Sequence, residues 1–586
     1  MTTRRPSATR FVLLAASIGV VAAGCARGPQ APRADLILDN ARVYTFAWDE
    51  PSTTGAPAAN APVKAGVWTP DAQAIAITGS LVSVVGSHAE AFALRGESTR
   101  VVDLGGAVVV PGLVDSHTHV KELGEKLGRV DLTGVATEAD ALARVVAFAA
   151  RMPGDGWIVG GGWDEGAWAK RYPTWDALNE QFPERPVYLR SLHGFGGWAN
   201  KAAFAKAGIG ESATNPVGGE LVRDRQGRLT GIVLNRAVPL LDRAIPTPTD
   251  DQAGATVKAG LDVMARDGYV AVHEAGVDAQ ELRALERLEA AGSLPVRVYA
   301  MLSARDPDLC RQWLAKGPER SNGRMLTVRS VKAYYDGALG SRGARLLEDY
   351  ADAPGHRGVS GEGYQFDRAI VAEMMKAGFQ VGIHAIGDAG NRETLDFIEG
   401  VLADAPQARD GRHRIEHAQV VSPEDVPRFR ALGLIAAMQP PHAVEDMGWA
   451  ADRLGPERVR HAYAWRTLRR ADARLMFSSD LTGSDHNIFY GLHSAITRRD
   501  KEGRPDGGWF PEQRMTPEEA VRGYSTWAAY GARWEHDTGV IATGRWADLS
   551  VLSVDPLALG TTDPDRLLDG RTLMTVVSGR VVHESR

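Results

Sequence analysis

Short apolar runs that end in polar residues alternate with helical stretches through the middle of this 586-residue chain. The runs include "YVAVHEAGV", "RVYAML", "SVKAYYDG", "QVGIHAIGD", "HRIEHAQ", "LIAAMQP" and "RLMFSSD". Between them lie stretches such as "AQELRALERLEAAG", "AIVAEMMKAG" and "RETLDFIEGVLADA". Strand–helix alternation that repeats about eight times predicts an α/β fold of the (β/α)8, TIM-like barrel type. In such barrels the functional side chains lie at the carboxyl ends of the strands.

The two ends of the chain have a different residue pattern from the middle, with β-forming residues grouped around turn signals. "DLILDNARVYTFA" and "QAIAITGSLVSVVG" read as antiparallel strands, and "WADLSVLSVD" and "TLMTVVSGRVVHE" repeat that pattern near the other end. We therefore predict a small composite β-sandwich domain from residues 35–108 and 538–586. The barrel then spans residues 109–537. It includes an insertion over residues 120–235, rich in Trp and Gly, after the first barrel strand.

The first 24 residues predict a signal peptide, because a basic start precedes an apolar run too short to span a bilayer comfortably. The run ends in "VAAGC", which is similar to a bacterial lipoprotein processing site, although Ala22 stands where leucine is usual. We expect lipid on Cys25, a tether over residues 25–34, and an exported protein anchored in the cell envelope on the periplasmic side of a membrane. Cys310 then has no intrachain partner, and burial as a small apolar residue is expected for it.

His117 and His119 follow the run "AVVVPGLVD", which suits a strand buried on both faces of a parallel sheet. Because side chains on a strand alternate with a period of two, both imidazoles face the same side. Two imidazoles at the carboxyl end of such a strand can hold one metal ion. Two polar residues in a surface loop would show the same spacing, so a metal site needs further ligands.

Three more strand-like runs end in a residue that can bind a metal. His384 ends "GFQVGIHAIGD", His417 ends "RHRIEHAQ" and Asp480 ends "RLMFSSD". Each has an ordinary alternative: a satisfied histidine, an ion pair between Glu416 and His417, or a helix cap formed by Asp480. Together with the first two histidines, in barrel order, they indicate a site for one or two divalent ions.

Two neighbouring cations need a bridging anion, and Lys332 could supply one. An ammonium group only donates hydrogen bonds and cannot bind a metal. A neutral lysine can react with carbon dioxide to give a carbamate, which is anionic and carries two oxygens. Burial and nearby cations lower a lysine pKa from about 10.4 and so favour the neutral form. The ordinary alternative is an ion pair between Lys332 and Asp336.

With these residues in view, the chain resembles the amidohydrolase superfamily, and within it the amidohydrolase-3 or YtcJ-like branch. The resemblance runs from about residue 35 to the end and is carried by "VVPGLVDSHTH", "VKAYYDGALGSRGARLLEDYADAPGHRG", "VGIHAIGDAGNRETLD", "RIEHAQ", "MQPPHAVEDMGWAADRLGPER", "SSD", "GLHSAITRRD" and "TGRWADLSVLSVDPL". It implies a metal-dependent hydrolase that cleaves a non-peptide C–N bond of a small molecule through a metal-activated water. The metal-binding residues that it implies are His117, His119, His384, His417 and Asp480, with Lys332 as a lysine that can be carboxylated.

The resemblance also implies roles within the site. Zinc is the expected divalent metal, and Asp480 would carry the proton of the activated water to the leaving nitrogen. His442, in "QPPHAVED", is a candidate substrate contact, with a structural role as the alternative. Two departures bear on specificity: Gly194-Phe195 stands where many relatives have Gly-His, and "SSDLTGSDHN" replaces a proline-bearing run.

Composition excludes some partners and leaves other functions open. A net charge of −6 without a long basic run argues against a nucleic-acid partner. A small amide-like molecule is the expected substrate, and the sequence defines neither its identity nor the oligomeric state. A one-metal deaminase or an ester or lactone hydrolase would use the same barrel, and a ligand-binding surface lipoprotein is the non-enzyme alternative. The complete set of predicted ligands argues against the non-enzyme alternative, because a binding protein has no need for a proton-carrying Asp480 beside metals.

Overall fold

The computed structural model describes residues 33–163, 172–192, 196–320 and 322–585. The predicted signal peptide, Cys25, most of the predicted tether and the Gly194-Phe195 pair lie outside these residues. Within the described ranges, no helix has the length and apolar character needed to cross a membrane. Cys310 is buried, as expected.

The segment before the barrel consists of short strands and one short helix. Their bounds are β1 Leu36–Asp39, β2 Arg42–Val43, β3 Val63–Lys64, β4 Val67–Trp68, β5 Ala74–Thr78, β6 Leu81–Gly86, α1 His88–Phe92, β7 Arg100–Asp103 and β8 Val108–Pro111. Strand β5 pairs antiparallel with both β1 and β6, as the alternating pattern of the sequence predicts.

The run "AVVVPGLVD", expected as one buried strand, is instead two strands that belong to different sheets. Strand β8 ends at Pro111, and the first barrel strand, β9 Leu113–Thr118, begins after Gly112. A Cβ atom on Gly112 would lie 2.4 Å from a Val270 methyl carbon. The chain therefore crosses from the β domain into the barrel at a point too tight for a larger residue.

The insertion after β9 forms a sheet of its own. The elements from the end of β9 to the second barrel strand are α2 Val120–Leu127, β10 Val130–Asp131, α3 Glu138–Arg151, β11 Ile158–Trp163, α4 Asp176–Gln181, β12 Val187–Ser191, β13 Gly196–Ala199, α5 Lys201–Lys206, β14 Gly219–Arg223, β15 Leu229–Asn235, α6 Val238–Asp242 and α7 Asp250–Arg266. The six strands are ordered β10-β11-β12-β13-β15-β14. Trp163 and Trp198 are fully buried between the sheet and its helices, so these tryptophans act in packing.

The barrel follows, with a helix after most of its strands. Its elements are β16 Tyr269–Val277, α8 Ala279–Ala290, β17 Arg297–Ser303, α9 Pro307–Lys316, β18 Leu326–Tyr334, α10 Arg368–Lys376, β19 Gln380–Ala385, α11 Asp388–Asp404, β20 Arg414–His417, α12 Val426–Leu432, β21 Ile435–Met438, α13 Pro440–Asp446, α14 Ala450–Arg458, α15 Trp465–Arg470, β22 Arg474–Phe477, α16 Ile488–Thr497, α17 Pro517–Gly523 and α18 Thr526–Gly531. Eight parallel strands run in chain order from β9 and β16 to β22, and a bridge between Thr118 and Leu481 nearly closes the sheet. The predicted (β/α)8 barrel is confirmed.

Local sequence explains why these elements form. Every residue of β17 is buried, which requires the apolar, β-forming composition seen in "RVYAMLS". Asp278 and Asp306 cap the helices that follow β16 and β17, because their carboxylates accept hydrogen bonds from backbone N–H groups of the first turn. Strand ends and helix starts therefore coincide at the carboxyl side of the barrel.

The end of the chain completes the composite domain with β23 Leu549–Leu552, α19 Pro556–Thr562, β24 Thr572–Val577 and β25 Arg580–Glu584. Its two sheets are ordered β6-β5-β1-β7 and β2-β8-β23-β24-β25. Leu38 and Ile75 from one sheet share a buried core with Val109 and Leu549 from the other. This is the predicted β-sandwich built from both chain ends. An ion pair of 2.7 Å between Arg297 and Asp548, both buried, joins it to the barrel.

Candidate metal centre

The predicted metal ligands converge at the carboxyl end of the barrel, within the described residues. His117 is the last but one residue of β9 and His119 follows the strand, Lys332 lies on β18, His384 on β19, and His417 ends β20. Asp480 lies three residues past β22. The ring centroids of His117 and His417 are 5.1 Å apart, and those of His384 and His417 are 4.5 Å apart. Residues that are hundreds of positions apart in the chain therefore form one cluster.

Asp480 stands at the centre of this cluster. Its Oδ1 lies 3.2 Å from His119 Nε2 and 3.5 Å from His117 Nε2. Two ligands of a tetrahedral zinc ion are about 3.4 Å apart, because zinc–nitrogen bonds measure about 2.0–2.1 Å. One ligand atom from each of the three residues lies within 4.8 Å of the others. These spacings suit a shared divalent ion.

A second group includes His417 and His442. His442 Nε2 is 3.7 Å from Asp480 Oδ2, and His417 Nδ1 is 3.9 Å from the same oxygen. One ligand atom from each of the three also lies within 4.8 Å of the others. His417 Nδ1 lies 2.8 Å from Gln439 Oε1, so the nitrogen carries the proton and donates it. That tautomer leaves the His417 Nε2 lone pair free for a metal.

His384 supplies the clearest test of whether the cluster fits a metal. Its Nε2 atom is buried and has no hydrogen-bond partner among the described residues. Burial lowers the pKa of His384 well below 6.5, so the ring is neutral and can offer a lone pair. The nearest carboxylate, Asp336, is 3.5 Å away and accepts hydrogen bonds from the backbone N–H groups of Ile386 and Gly387 instead. A buried imidazole nitrogen without a protein partner is what a metal ligand looks like before the metal binds.

Lys332 points into the same cluster and has no acidic partner. Its Nζ atom lies 2.9 Å from His117 Nε2, and no carboxylate of the described residues lies within 4 Å of it. The ion pair with Asp336 that the sequence left open is therefore absent. Burial lowers the pKa of Lys332 to about 8. The side chain is thus poised to lose its proton.

Glu416 and Arg414 contact a predicted ligand, and sequence reasoning did not place them in the cluster. Glu416 Oε2 accepts a hydrogen bond of 2.5 Å from His117 Nδ1, and Arg414 Nε lies 2.6 Å from Glu416 Oε1. Burial alone would raise the pKa of Glu416, but Arg414 and His117 hold it well below its usual value. The pair fixes the His117 tautomer and leaves Nε2 as the acceptor. The sequence signal for them is "RIE", in which two charged residues alternate with an apolar one inside a buried strand. Charged side chains in such a strand must find partners.

Two predicted ligands occupy a backbone conformation that residues with a side chain rarely adopt. The φ angle is 74° at His417 and 57° at Asp480. Such left-handed residues cost about 1–3 kcal/mol each and cluster at functional sites. The turn at His417 also lets Glu416 and His417, which are adjacent in sequence, both face the cluster.

The model of the amidohydrolase family matches residues 100–583.

The chain belongs to the amidohydrolase family.

Individual relatives agree with this assignment. The YtcJ protein of Bacillus subtilis is 29% identical over 83% of this chain and 91% of its own length. An N-substituted formamide deformylase of Arthrobacter pascens is 26% identical over 88% of this chain and 95% of its own length. The crystal structure of an uncharacterized metal-dependent hydrolase from Pyrococcus furiosus superposes with a TM-score of 0.69 at 26% identity, covering 89% of this chain and 99% of that one.

The predicted resemblance is therefore confirmed. This amidohydrolase is a hydrolase acting on carbon–nitrogen bonds other than peptide bonds, with candidate His/Asp metal sites at the mouth of its barrel.

Strand β16 of the amidohydrolase supports the His117–His119 turn. Glu274 accepts hydrogen bonds from Thr118 Oγ1 at 2.7 Å and from the Val120 backbone N–H at 2.8 Å. It therefore holds both ends of the turn that carries His119. His273, one position earlier, is buried, packs against Tyr299 and contacts Arg414, so its role is in the core.

The insertion lies beside the metal cluster. A cleft of about 810 Å³ is bounded on one side by Leu481–His486, the segment that follows Asp480. Residues of α2 and α3, such as Leu127 and Phe148, form the facing wall. The predicted ligands do not line this cleft, so it adjoins their cluster without containing it.

Proposed function

We propose that this protein hydrolyses the amide bond of a small molecule, with one or two zinc ions held by His117, His119, Lys332, His384, His417 and Asp480. The observation that carries the proposal is the position of Asp480. Its two carboxylate oxygens lie within 3.9 Å of imidazoles from three different segments of the barrel. Such a convergence of buried and partly buried donors is what a hydrolytic metal centre requires.

Asp480 is proposed as the proton carrier of the reaction. A bound divalent ion lowers the pKa of water from 15.7 to about 7 and polarises a carbonyl oxygen. The surrounding histidines hold the pKa of Asp480 well below its usual value although burial would raise it, so the carboxylate starts ionised. It accepts the proton of the attacking water and delivers it to the leaving amide nitrogen. His442, 3.7 Å from Asp480, is proposed to contact the substrate.

Carboxylation of Lys332 is part of the proposal. A lysine ammonium 2.9 Å from His117 Nε2 would repel a cation bound at that nitrogen. A carbamate would replace the positive charge by a negative one and add two oxygen ligands. The absence of any ion-pair partner for Lys332 among the described residues supports this assignment. Mass spectrometry under native conditions, or the carbonyl carbon signal after labelling with ¹³C-bicarbonate, would detect the carbamate.

Activity assays test the reaction class. We expect zinc-loaded protein to act on at least one of three classes: it would release amine from N-substituted formamides or N-acyl amino acids, or open cyclic imides to the half-amide carboxylic acid. The formamide deformylase of Arthrobacter pascens supports inclusion of the first. Ammonia release from amino-substituted heterocycles would favour the deaminase, and preferential ester or lactone cleavage would favour that alternative.

Variants connect the activity to the cluster. His117→Ala should lose both bound metal and turnover, whereas His88→Ala should keep both, because His88 is exposed and pairs with Asp39 in the β domain. Retention of metal and turnover in His117→Ala would refute the proposed site. Loss in both variants would point to unfolding, which circular dichroism would show.

We further propose that the protein is exported and anchored to the cell envelope by lipid on Cys25. The support is the basic and apolar pattern of residues 1–24 followed by "AAGC". Expression in a bacterial host with a tritiated fatty acid should label the full chain and not Cys25→Ser. Equal labelling of both, or the absence of label from the membrane fraction, would contradict the anchor.

A further inference from the structure

The loops at the carboxyl end of the barrel contain several arginines, and one of them lacks an acidic partner. Arg342 pairs with Asp352 at 2.7 Å, and Arg345 lies 3.4 Å from Glu393. Arg305, two residues past β17, is exposed, and its guanidinium makes no hydrogen bond or ion pair with the described residues. A cation at this end of the barrel is therefore free to receive an anion.

The position of Arg305 is fixed by an aromatic ring of the site. Its guanidinium carbon lies 3.8 Å from the ring centroid of Tyr334, the last residue of β18. The same ring is 5.1 Å from Lys332 Nζ and 6.1 Å from the ring centroid of His384. Arg305 is therefore held over the side of the metal cluster formed by β18 and β19, within one small molecule's length of it.

The acidic residues near Arg305 in sequence are already engaged. Asp306 accepts a hydrogen bond of 3.0 Å from the Leu309 backbone N–H and caps α9. Asp308 pairs with Arg311 at 2.8 Å. Stacking on Tyr334 orients the Arg305 guanidinium without using its N–H donors, which leaves them free for a planar, two-oxygen acceptor.

We propose that Arg305 and Tyr334 form a carboxylate subsite, so that the preferred substrates are amides that carry a carboxylate close to the scissile bond, as N-acyl amino acids do. This rests on the proposed amide hydrolysis. One extended residue spans about 3.3–3.6 Å, which lets a carboxylate reach Arg305 while the acyl carbonyl lies at the metal cluster. The bidentate contact between guanidinium and carboxylate supplies both affinity and orientation.

A matched pair of substrates tests the subsite. N-acetylleucine, as both enantiomers, is compared with N-isopentylacetamide, which is the same molecule without the carboxylate; released amine is measured. We expect zinc-loaded wild-type protein to show a lower KM for one enantiomer of the acid than for the neutral amide. In Arg305→Ala the ratio of the two KM values should shrink about tenfold or more, and Arg305→Lys should recover only part of it. Arg311→Ala, which removes an exposed arginine from the same loop–helix segment, should keep the wild-type ratio.

Direct binding separates this proposal from the proposed function. Calorimetric titration of N-acetylleucine should give about tenfold weaker binding to Arg305→Ala than to wild type and to Arg311→Ala. Binding that depends on Arg305, together with no turnover of any amide class in the panel, would refute the amide hydrolysis and keep the subsite. Equal binding to wild type and Arg305→Ala, or an unchanged KM ratio, would overturn the subsite whatever the turnover.

Discussion

Replacing Glu416 by glutamine should weaken metal binding although Glu416 is not itself a proposed ligand. The carboxylate lies between two groups that both need an acceptor: His117 Nδ1 at 2.5 Å and the Arg414 guanidinium at 2.6 Å. Glutamine offers one carbonyl oxygen, so either Arg414 or His117 would face its NH₂ group. If His117 does, its Nδ1 must become the acceptor and the proton moves to Nε2, the atom proposed to bind the metal.

The magnitude follows from these contacts. Loss of the group that orients a metal-binding histidine costs about 10- to 100-fold in metal affinity, or about 1.4–2.7 kcal/mol. Removal of one partner from a buried ion pair destabilises a fold by about 3–5 kcal/mol. Glutamine should cost less than that, because its oxygen can still accept from Arg414, which also donates to the Ser116 carbonyl at 2.6 Å. Glu416→Ala should approach the full cost, since Arg414 then loses its carboxylate entirely.

Metal affinity and fold stability must be measured separately. Zinc affinity is obtained by competition with a chromophoric chelator, and unfolding by urea is followed on chelator-treated protein. The matched control is Glu424→Gln, which removes the same charge from an exposed ion pair with Arg392 and should leave zinc affinity unchanged. Wild-type zinc affinity in a folded Glu416→Gln protein would refute the reasoning, because His117 would then need no orienting carboxylate.

Three further predictions follow from other parts of the structure. Asp480→Asn at saturating zinc should lower kcat by about 10²- to 10⁴-fold, and an unchanged rate would exclude Asp480 as the proton carrier. His413 donates to the Ala408 carbonyl, accepts from the Val381 N–H, and has its pKa lowered by burial from 6.5 to about 4. Between those two values the unfolded chain binds a proton that the folded chain does not, so His413 should reduce stability by about 1.4 kcal/mol per unit as the pH falls. Urea unfolding of His413→Asn at neutral pH and near pH 5 should show a weaker pH dependence than wild type; an equal dependence would contradict this. Gly124→Ala should destabilise the protein by about 1–3 kcal/mol, because its Cβ would lie 1.9 Å from the Thr256 carbonyl oxygen across the α2–α7 contact. Thermal unfolding measures this effect. In the same assay the control Gly254→Ala should be neutral or stabilising, because no atom lies within 4 Å of its Cβ.

The barrel and the composite domain were predictable because both depend on local patterns that repeat. The run "YVAVHEAGV" and the helical stretch that follows it correspond to β16 and α8, whose bounds match the sequence pattern closely. The crossing from β8 to β9 was not predictable, since "AVVVPGLVD" is apolar throughout and both of its strands are buried. The crossing point is marked by the close approach of Val270 and the Asp548 carbonyl to Gly112, and both are distant from it in sequence.

The alternation of side chains along a strand does not explain the contacts within the cluster. That rule places Glu416 and His417 on opposite faces of β20, which does not fit the ion pair between these neighbours that the sequence left open for His417. The structure instead pairs Glu416 with His117, 299 positions away, and His417 with Gln439. The left-handed backbone at His417 makes both contacts compatible, and a similar conformation turns Asp480 back over the barrel. Sequence patterns report the unstrained backbone, whereas these two residues carry a conformational cost of about 1–3 kcal/mol each that only tertiary contacts can offset. The sequence could therefore name the proposed ligands, while the partners that orient them depend on strained geometry that no local pattern encodes.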